Sequence, residues 1–425
     1  MNQYKEPQRK EWPNLLERPT LDNKNLESIV KAVLEKVKEE GDAALKSYTA
    51  QFDQVALSQL EVNPQEFEEA EQLVSPELKS AIQLAQQNIA LFHSQQKEKE
   101  QKVETAPGVS CWRKSVPIGK IGLYIPGGTA PLFSSVLMLG VPAKIAGCQE
   151  IILCSPPQKD GKIHPAILYT AKTVGINRVF KVGGAQAVAA MAYGTESIPA
   201  VYKIFGPGNQ YVTAAKQMVS IDRVAIDMPA GPSEVLVYAD DSAHPDFVAA
   251  DLLSQAEHGV DSQVVLVAAS EAVATAVQEE IKQQLSVLPR KEIAEQALNN
   301  SVTIILGNTD DAIELINFYA PEHLILATSN PEAIAGAITN AGSVFLGHYT
   351  PESVGDYASG TNHTLPTNGF AKMYSGVSLD SFIKKITFQQ LSVEGLRNIG
   401  PAVEVLAEAE DLFAHKNAVS IRLKK

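Results

Sequence analysis

The chain has 425 residues, ample for a large buried core and, as a prior, for about two to four domains. Hydrophobic residues make up 45% and charged residues 20%, the balance of an ordinary soluble globular protein. The 36 basic and 49 acidic residues leave a net charge of -13, which disfavours nonspecific nucleic-acid binding and anionic membrane surfaces, because both need clustered Lys and Arg.

Residues 1–24 are polar and proline-bearing, and predict an N-terminal arm or a small helical piece. The opening "MNQYKEPQRKEWPNLLERPT" has no apolar core, so no secretory signal is expected. Residues 25–97 read as helical. "LESIVKAVLEKVKEEG" spaces its apolar residues by three and four and stops at Gly41. "SPELKSAIQLAQQNIALFHSQQ" opens on Ser75 and Pro76, an N-cap and first-turn pair. Residues 97–105, "KEKEQKVET", predict a solvated charged connection.

From about residue 118 short β-branched runs alternate with helical stretches: "KIGLYI", "EIILCS", "RVFKV", "AVYKIFG", "RVAIDM", "EVLVYAD", "QVVLVAA", "VTIIL", "HLILAT" and "SVFLG". Such alternation predicts βαβ units and parallel sheets covered on both faces. The segment is long for one sheet, so two α/β domains are expected, with a break near 232–234. The apolar stretch "APLFSSVLMLGVPAKIAG" carries prolines, serines and a lysine and reads as a buried helix, not a membrane span. The tail from about 378 predicts a strand followed by helices.

Three strand-to-helix turns are glycine-rich: Gly127-Gly128, Gly183-Gly184 and Gly206-Pro207-Gly208-Asn209. Glycine lets backbone approach a ligand closely at the mouth of a parallel sheet. None completes GxGxxG, since Tyr211 stands where the third glycine belongs. Plain turn chemistry would suffice for each alone; all three between residues 127 and 208 favour a nucleotide or cofactor cleft, with Tyr124, Gln186 and Asn209 in or beside the turns.

The three cysteines, Cys111, Cys148 and Cys154, form no CxxC and no disulfide framework, which suits a reducing cytoplasm. Cys148 and Cys154 flank an apolar strand and are expected in the core. Of the eight histidines, His93, His164, His244 and His348 are expected on the surface or at caps. The other four sit in polar motifs. In "QAEHG" Gln255 and His258 lie three apart, which on a helix makes their side chains converge; a metal or the helix dipole would explain them. In "APEHL" Glu322 and His323 precede an apolar strand that starts at Leu324, so neither is expected to sink in the core; both could act as bases, or form a simple loop pair. The loop 350–371, "TPESVGDYASGTNHTLPTNGFA", holds Asp356 and His363 and is long enough to suggest function. "EAEDLFAHKNAVSIR" carries Glu410 and His415 at a helix end. Together these supply a candidate N/O ligand set, Gln255, His258, Asp356 and His415, suited to zinc, or to manganese if more oxygen-rich.

In order and in register, "GLYIPGGTAP", "VGGAQAVAAMAYGT", "GPGNQYV", "GPSEVLV", "SQAEHGVDSQ", "APEHL", "VGDYASGTNHTLPT" and "AHKNAV" resemble the motif set of the histidinol dehydrogenase family from about residue 25 to 420. The resemblance implies NAD-dependent oxidation of L-histidinol, through the aldehyde, to L-histidine by a zinc-dependent cytoplasmic homodimer. It implies zinc on Gln255, His258, Asp356 and a partner subunit's His415. Glu322 and His323 become the acid/base pair; His323, Asp356 and the zinc ligands also face substrate, with Ser233, His363 and Glu410. Tyr124, Gln186 and Asn209 become NAD contacts. It further implies two incomplete Rossmann-like domains, one inserted in the other: residues 25–123 with 234–377, residues 124–233 for NAD, and residues 378–425 for dimerisation. Three other readings remain: a zinc- and NAD-dependent alcohol dehydrogenase of another substrate, a zinc hydrolase, and a non-catalytic binding module. The hydrolase leaves the glycine turns unexplained.

Overall fold

Strands without a polar face build the centre of the molecule. Glu234–Ala239, Gln263–Ala268 and His323–Ala327 are buried at every position, as a parallel sheet covered by helices on both sides requires. The computed structural model describes residues 1–19, 25–127, 131–222, 224–229 and 231–425; Gly128, one of the turn glycines, and residues 20–24 of the expected arm lie outside them.

Six parallel strands form one sheet in the order Asn2–Lys5, Val302–Ile305, Gln263–Ala268, Glu234–Ala239, His323–Ala327 and Ser343–Leu346. Five parallel strands form a second: Arg178–Lys181, Glu150–Ser155, Lys120–Tyr124, Lys203–Phe205 and Ala225–Ile226. A three-stranded antiparallel sheet joins Ile383–Leu391, Val109–Pro117 and Lys102–Ala106. The α/β class with parallel sheets therefore stands. Among the described residues no helix is long and apolar enough to cross a membrane.

Several local expectations change. The opening residues are no free arm: Asn2–Lys5 completes the edge of the six-stranded sheet beside Val302–Ile305. With one apolar side chain in "NQYK" it shows no period-two pattern. The charged connection contains the strand Lys102–Ala106, almost wholly exposed; charged side chains on an edge strand read as a loop. The polar loop 350–371 contains the helix Glu352–Tyr357. His93 is not on the surface: it is fully buried, with Nδ1 2.9 Å from the Ile89 carbonyl. His164 does cap a helix, accepting from Ala166 N at 3.2 Å. Cys148 and Cys154 are buried.

The helices Leu26–Glu40 and Pro76–Ser94 also differ from the expected division. They pack on Gly184–Tyr193, Gln210–Asp222 and Phe133–Ala146, which flank the five-stranded sheet, and Lys120–Tyr124 is that sheet's central strand. Leu26–Glu40, Pro76–Ser94 and Lys120–Tyr124 thus lie with the five-stranded sheet and not with 234–377, because an apolar stripe announces burial without naming the surface that covers it.

The C-terminal segment is tied in by aromatic stacking. Phe382 lies on Phe205 with ring centroids 4.3 Å apart and neither ring exposed. Phe382→Ala should therefore cost about 3–5 kcal/mol of stability, read as a fall in the urea midpoint or in Tm; an unchanged midpoint would show the stack to be dispensable.

Candidate active site

The carboxyl edge of the five-stranded sheet and the amino edge of the six-stranded sheet face one another across two clefts. The larger, of about 960 Å³, is lined by Tyr124, Gly127, Pro156, Gly184, Gln186 and Asn209 from the first side, and by Glu257, His258, Arg290 and Tyr357 from the second. The smaller, of about 490 Å³, is lined by Gly206, Gly208, Ser233, Glu322 and His363 among others. His258 and Asn209 line both, so the two clefts meet there.

The glycine turns make the first cleft. A Cβ at Gly206, where φ is +130°, would collide with the Tyr124 carbonyl, so only glycine lets this turn close against the strand. Tyr124 is buried and its hydroxyl accepts from Gly184 N at 3.2 Å. Burial pushes that hydroxyl up to about 12, which keeps it neutral. The Asn209 side chain accepts from Tyr211 N at 3.1 Å and Val212 N at 3.2 Å, capping the next helix. Tyr124, Gln186 and Asn209, expected together from the turns, share this one cleft.

The reactive groups gather at the start of two neighbouring strands. His323 opens its strand beside Val235, and the main chain of Glu234 serves both members of the acid/imidazole pair. Glu234 N donates to Glu322 Oε2 at 3.0 Å, while Glu234 O lies 3.3 Å from His323 Nδ1. Contrary to the sequence expectation, both are sunk in the core: Glu322 is 5% exposed and His323 4%. The apolar strand does begin at Leu324, but flanking strands and the helix Glu352–Tyr357 cover its start. Burial raises the Glu322 carboxyl to about 8. For His323 burial acts to lower the imidazole, yet the Glu352 and Glu322 carboxylates prevail and hold it well above its ordinary value.

The short helix Glu352–Tyr357 brings the other carboxylates. Asp356 Oδ1 lies 3.5 Å from His323 Nε2, and Glu352 Oε1 lies 3.8 Å from His323 Nδ1. Burial acts to raise Asp356, but the His323 imidazole outweighs it and keeps the carboxyl below its ordinary value. Glu352, almost fully buried, is raised to about 8 by burial. His258, Glu352 and Asp356 each place one donor atom within 4.8 Å of the other two.

Gln255 and His258 do not share a helix face as the spacing suggested, yet both stand beside Glu352. The helix Pro245–Ala256 ends before His258, which stands exposed at the cleft while Gln255 is fully buried. His258 is still crowded by protein, and this desolvation lowers its imidazole despite a smaller opposing pull from Asp356. With its amide nitrogen toward the carboxylate, Gln255 donates to Glu352 Oε2 at 3.2 Å and lies closer still to Oε1. Gln255 thus reaches the cluster through Glu352.

His363 is held by Ser135 Oγ, 3.1 Å from its Nε2, and by the Asp356 carbonyl, 2.9 Å from its Nδ1. Burial lowers its imidazole. Ser233 lines the same smaller cleft. Glu410 and His415 are not brought in by this chain: both are exposed, the first just after the helix Val393–Ala409 and the second on Phe413–Leu423, and neither lines either cleft.

The sequence reading missed Glu352. It stands four residues before Asp356, the spacing that puts two side chains on one helix face, but the surrounding glycine, serine and threonine disguise the helix. One imidazole, one amide and two carboxylates make an N/O donor set that fits a divalent cation such as zinc. The buried His323 Nε2, with no hydrogen-bond partner among the described residues, marks the same spot as built for something more.

A family model of histidinol dehydrogenases matches residues 16–423. A histidinol dehydrogenase of Bacteroides thetaiotaomicron is 62% identical over 423 residues, covering 100% of this chain and 99% of that protein. One of Bacteroides fragilis is 60% identical over 425 residues, again covering 100% and 99%. The crystal structure of histidinol dehydrogenase from Elizabethkingia anophelis superposes with a TM-score of 0.98 at 57% identity, covering 100% of this chain and 98% of that one. Fold, ionisable cluster and these likenesses define an α/β oxidoreductase of amino-acid biosynthesis. The chain belongs to the histidinol dehydrogenase family.

The charge burial predicts a trade of stability against chemistry. Glu322 has a folded pKa of about 8, above its unfolded value near 4.3, so the native state binds the proton more tightly. The resulting destabilisation is absent at pH 4, grows as pH rises between those two values, and is complete above pH 8. Glu322→Gln in chelator should therefore raise Tm relative to the parent at pH 9 and change it little at pH 4. An equal shift at both pH values would rule out a raised carboxyl.

Proposed function

We propose that this enzyme carries out the last step of histidine biosynthesis, the NAD-dependent four-electron oxidation of L-histidinol through L-histidinaldehyde to L-histidine. The observation that carries the reading is the buried His323 Nε2, without a hydrogen-bond partner among the described residues and 3.5 Å from Asp356, which is grouped with His258 at the junction of the cofactor-sized cleft and the smaller one.

NAD would contact Tyr124, Gln186 and Asn209. A zinc ion would be held by Gln255, His258 and Asp356, with His415 from a second copy of the chain, in a homodimer whose C-terminal segments exchange. Ser233, His363 and Glu410 would hold the substrate. Bound NAD supplies a hydride acceptor, and the metal supplies an anchor for the imidazole and amine of histidinol. The unpaired thiols fit a cytoplasmic setting.

The chain's own groups move the protons. The carbonyl of Glu234 favours a proton on His323 Nδ1, so once the raised imidazole has given up its second proton the lone pair lies on Nε2, the atom beside Asp356. Nε2 is therefore the atom placed to take the hydroxyl proton as the alcohol is oxidised. Glu322, at about 8, can take or give a proton near neutrality and is placed to activate the water that adds to the aldehyde. Both groups are buried, which limits bulk water and the loss of a reactive aldehyde.

NADH absorbance should rise with L-histidinol and fall when a chelator is added. His323→Asn should cut turnover roughly 10²–10⁴-fold while metal content and histidinol binding stay near the parent's. Turnover close to the parent's would place the base elsewhere.

A further inference from the structure

A residue that lines neither cleft grips the side chain of Glu234, whose main chain holds the acid/imidazole pair. Glu234 is 2% exposed, and a carboxylate so deep is costly unless paired. Its partner is Arg18, from the segment that follows the N-terminal helical turn. Arg18 Nε lies 2.5 Å and its Nη2 2.8 Å from the two carboxylate oxygens, a two-pronged grip. The same Nη2 donates to the Tyr319 carbonyl at 2.8 Å, and the guanidinium lies 3.9 Å above the Tyr319 ring. The Tyr319 hydroxyl donates to Gln263 Oε1 at 2.8 Å and lies 3.4 Å from Glu234 Oε2. The Arg18 head is thus fixed on three sides.

Stability alone does not account for this arrangement, since a buried ion pair is often no better than an apolar pair of the same volume. What it does is anchor the side chain of the one residue whose N–H and C=O hold Glu322 and His323. We infer that Arg18 is a positioning residue: by clamping Glu234 against Tyr319 it fixes the backbone that aims Glu322 and His323. The inference rests on the reading of those two as the acid/base pair. It predicts that loosening the clamp misplaces the reacting groups without removing any contact to the substrate, so turnover falls and binding does not.

The test uses the full-length, metal-loaded enzyme and reads kcat, KM for L-histidinol and Tm. Arg18→Met should lower kcat on the order of 10-fold to 10²-fold with KM within about threefold. Its Tm falls as well, because Glu234 is left buried and unpaired. Arg18→Met with Glu234→Gln removes the stranded charge, so Tm should recover while kcat stays low. Arg18→Lys, which keeps the charge but loses the fork, should give an intermediate kcat. A double variant with kcat within about twofold of the parent would reduce the clamp to a structural ion pair and overturn the inference. So would single variants that raise KM and leave kcat unchanged. His323→Asn runs alongside: normal turnover there sinks the acid/base reading, whereas a slow His323→Asn beside a fast double variant sinks only the role of Arg18.

Discussion

The buried ionisable cluster hangs on two hydrogen bonds to the main chain of one residue. At the first position of its strand, Glu234 turns its N–H to the Glu322 carboxylate and its C=O to the His323 imidazole. Both bonds depend on the parallel register that sets His323 beside Val235. A slip of one residue would turn every side chain of the strand to the opposite face and carry the imidazole away from Asp356. That register is over-determined, because the two strands and their neighbour Gln263–Ala268 are buried at every position and packed on both faces.

Such packing is what makes the ionisable cluster tolerable. Glu322, Glu352 and His323 are each nearly buried, and two of the three carboxylates around the imidazole are held far above their ordinary range. Charges of this kind weaken a fold, and apolar surface elsewhere offsets them. The sheets supply it through large apolar clusters on each face. The cost in stability and the capacity to shuttle protons near neutrality come from the same desolvation.

Much of this was legible in the sequence, for physical reasons that also mark where legibility stopped. Parallel strands announce themselves as unbroken apolar runs, and the glycine turns follow them, so a cleft holding Tyr124, Gln186 and Asn209 could be foreseen. The adjacency of Glu322 and His323 was plain, but their depth was set by strands and a helix distant in the chain. Glu352 was hidden by its glycine- and threonine-rich setting. Gln255 and His258 were paired on a helix that in fact ends between them. The covering of the five-stranded sheet by Leu26–Glu40 and Pro76–Ser94 is a matter of which surfaces fit, which no local pattern encodes. The grip of Arg18 on Glu234 spans 216 positions and leaves no local trace.

The rim strand Asn2–Lys5 has a consequence for how the molecule is made. It is synthesised well before its partner, Val302–Ile305, which lies far along the chain. All strands of the five-stranded sheet lie between Lys120 and Ile226, so that half can organise while Asn2–Lys5 waits unpaired. An early segment of chain is thus seated only after a much later one exists to receive it.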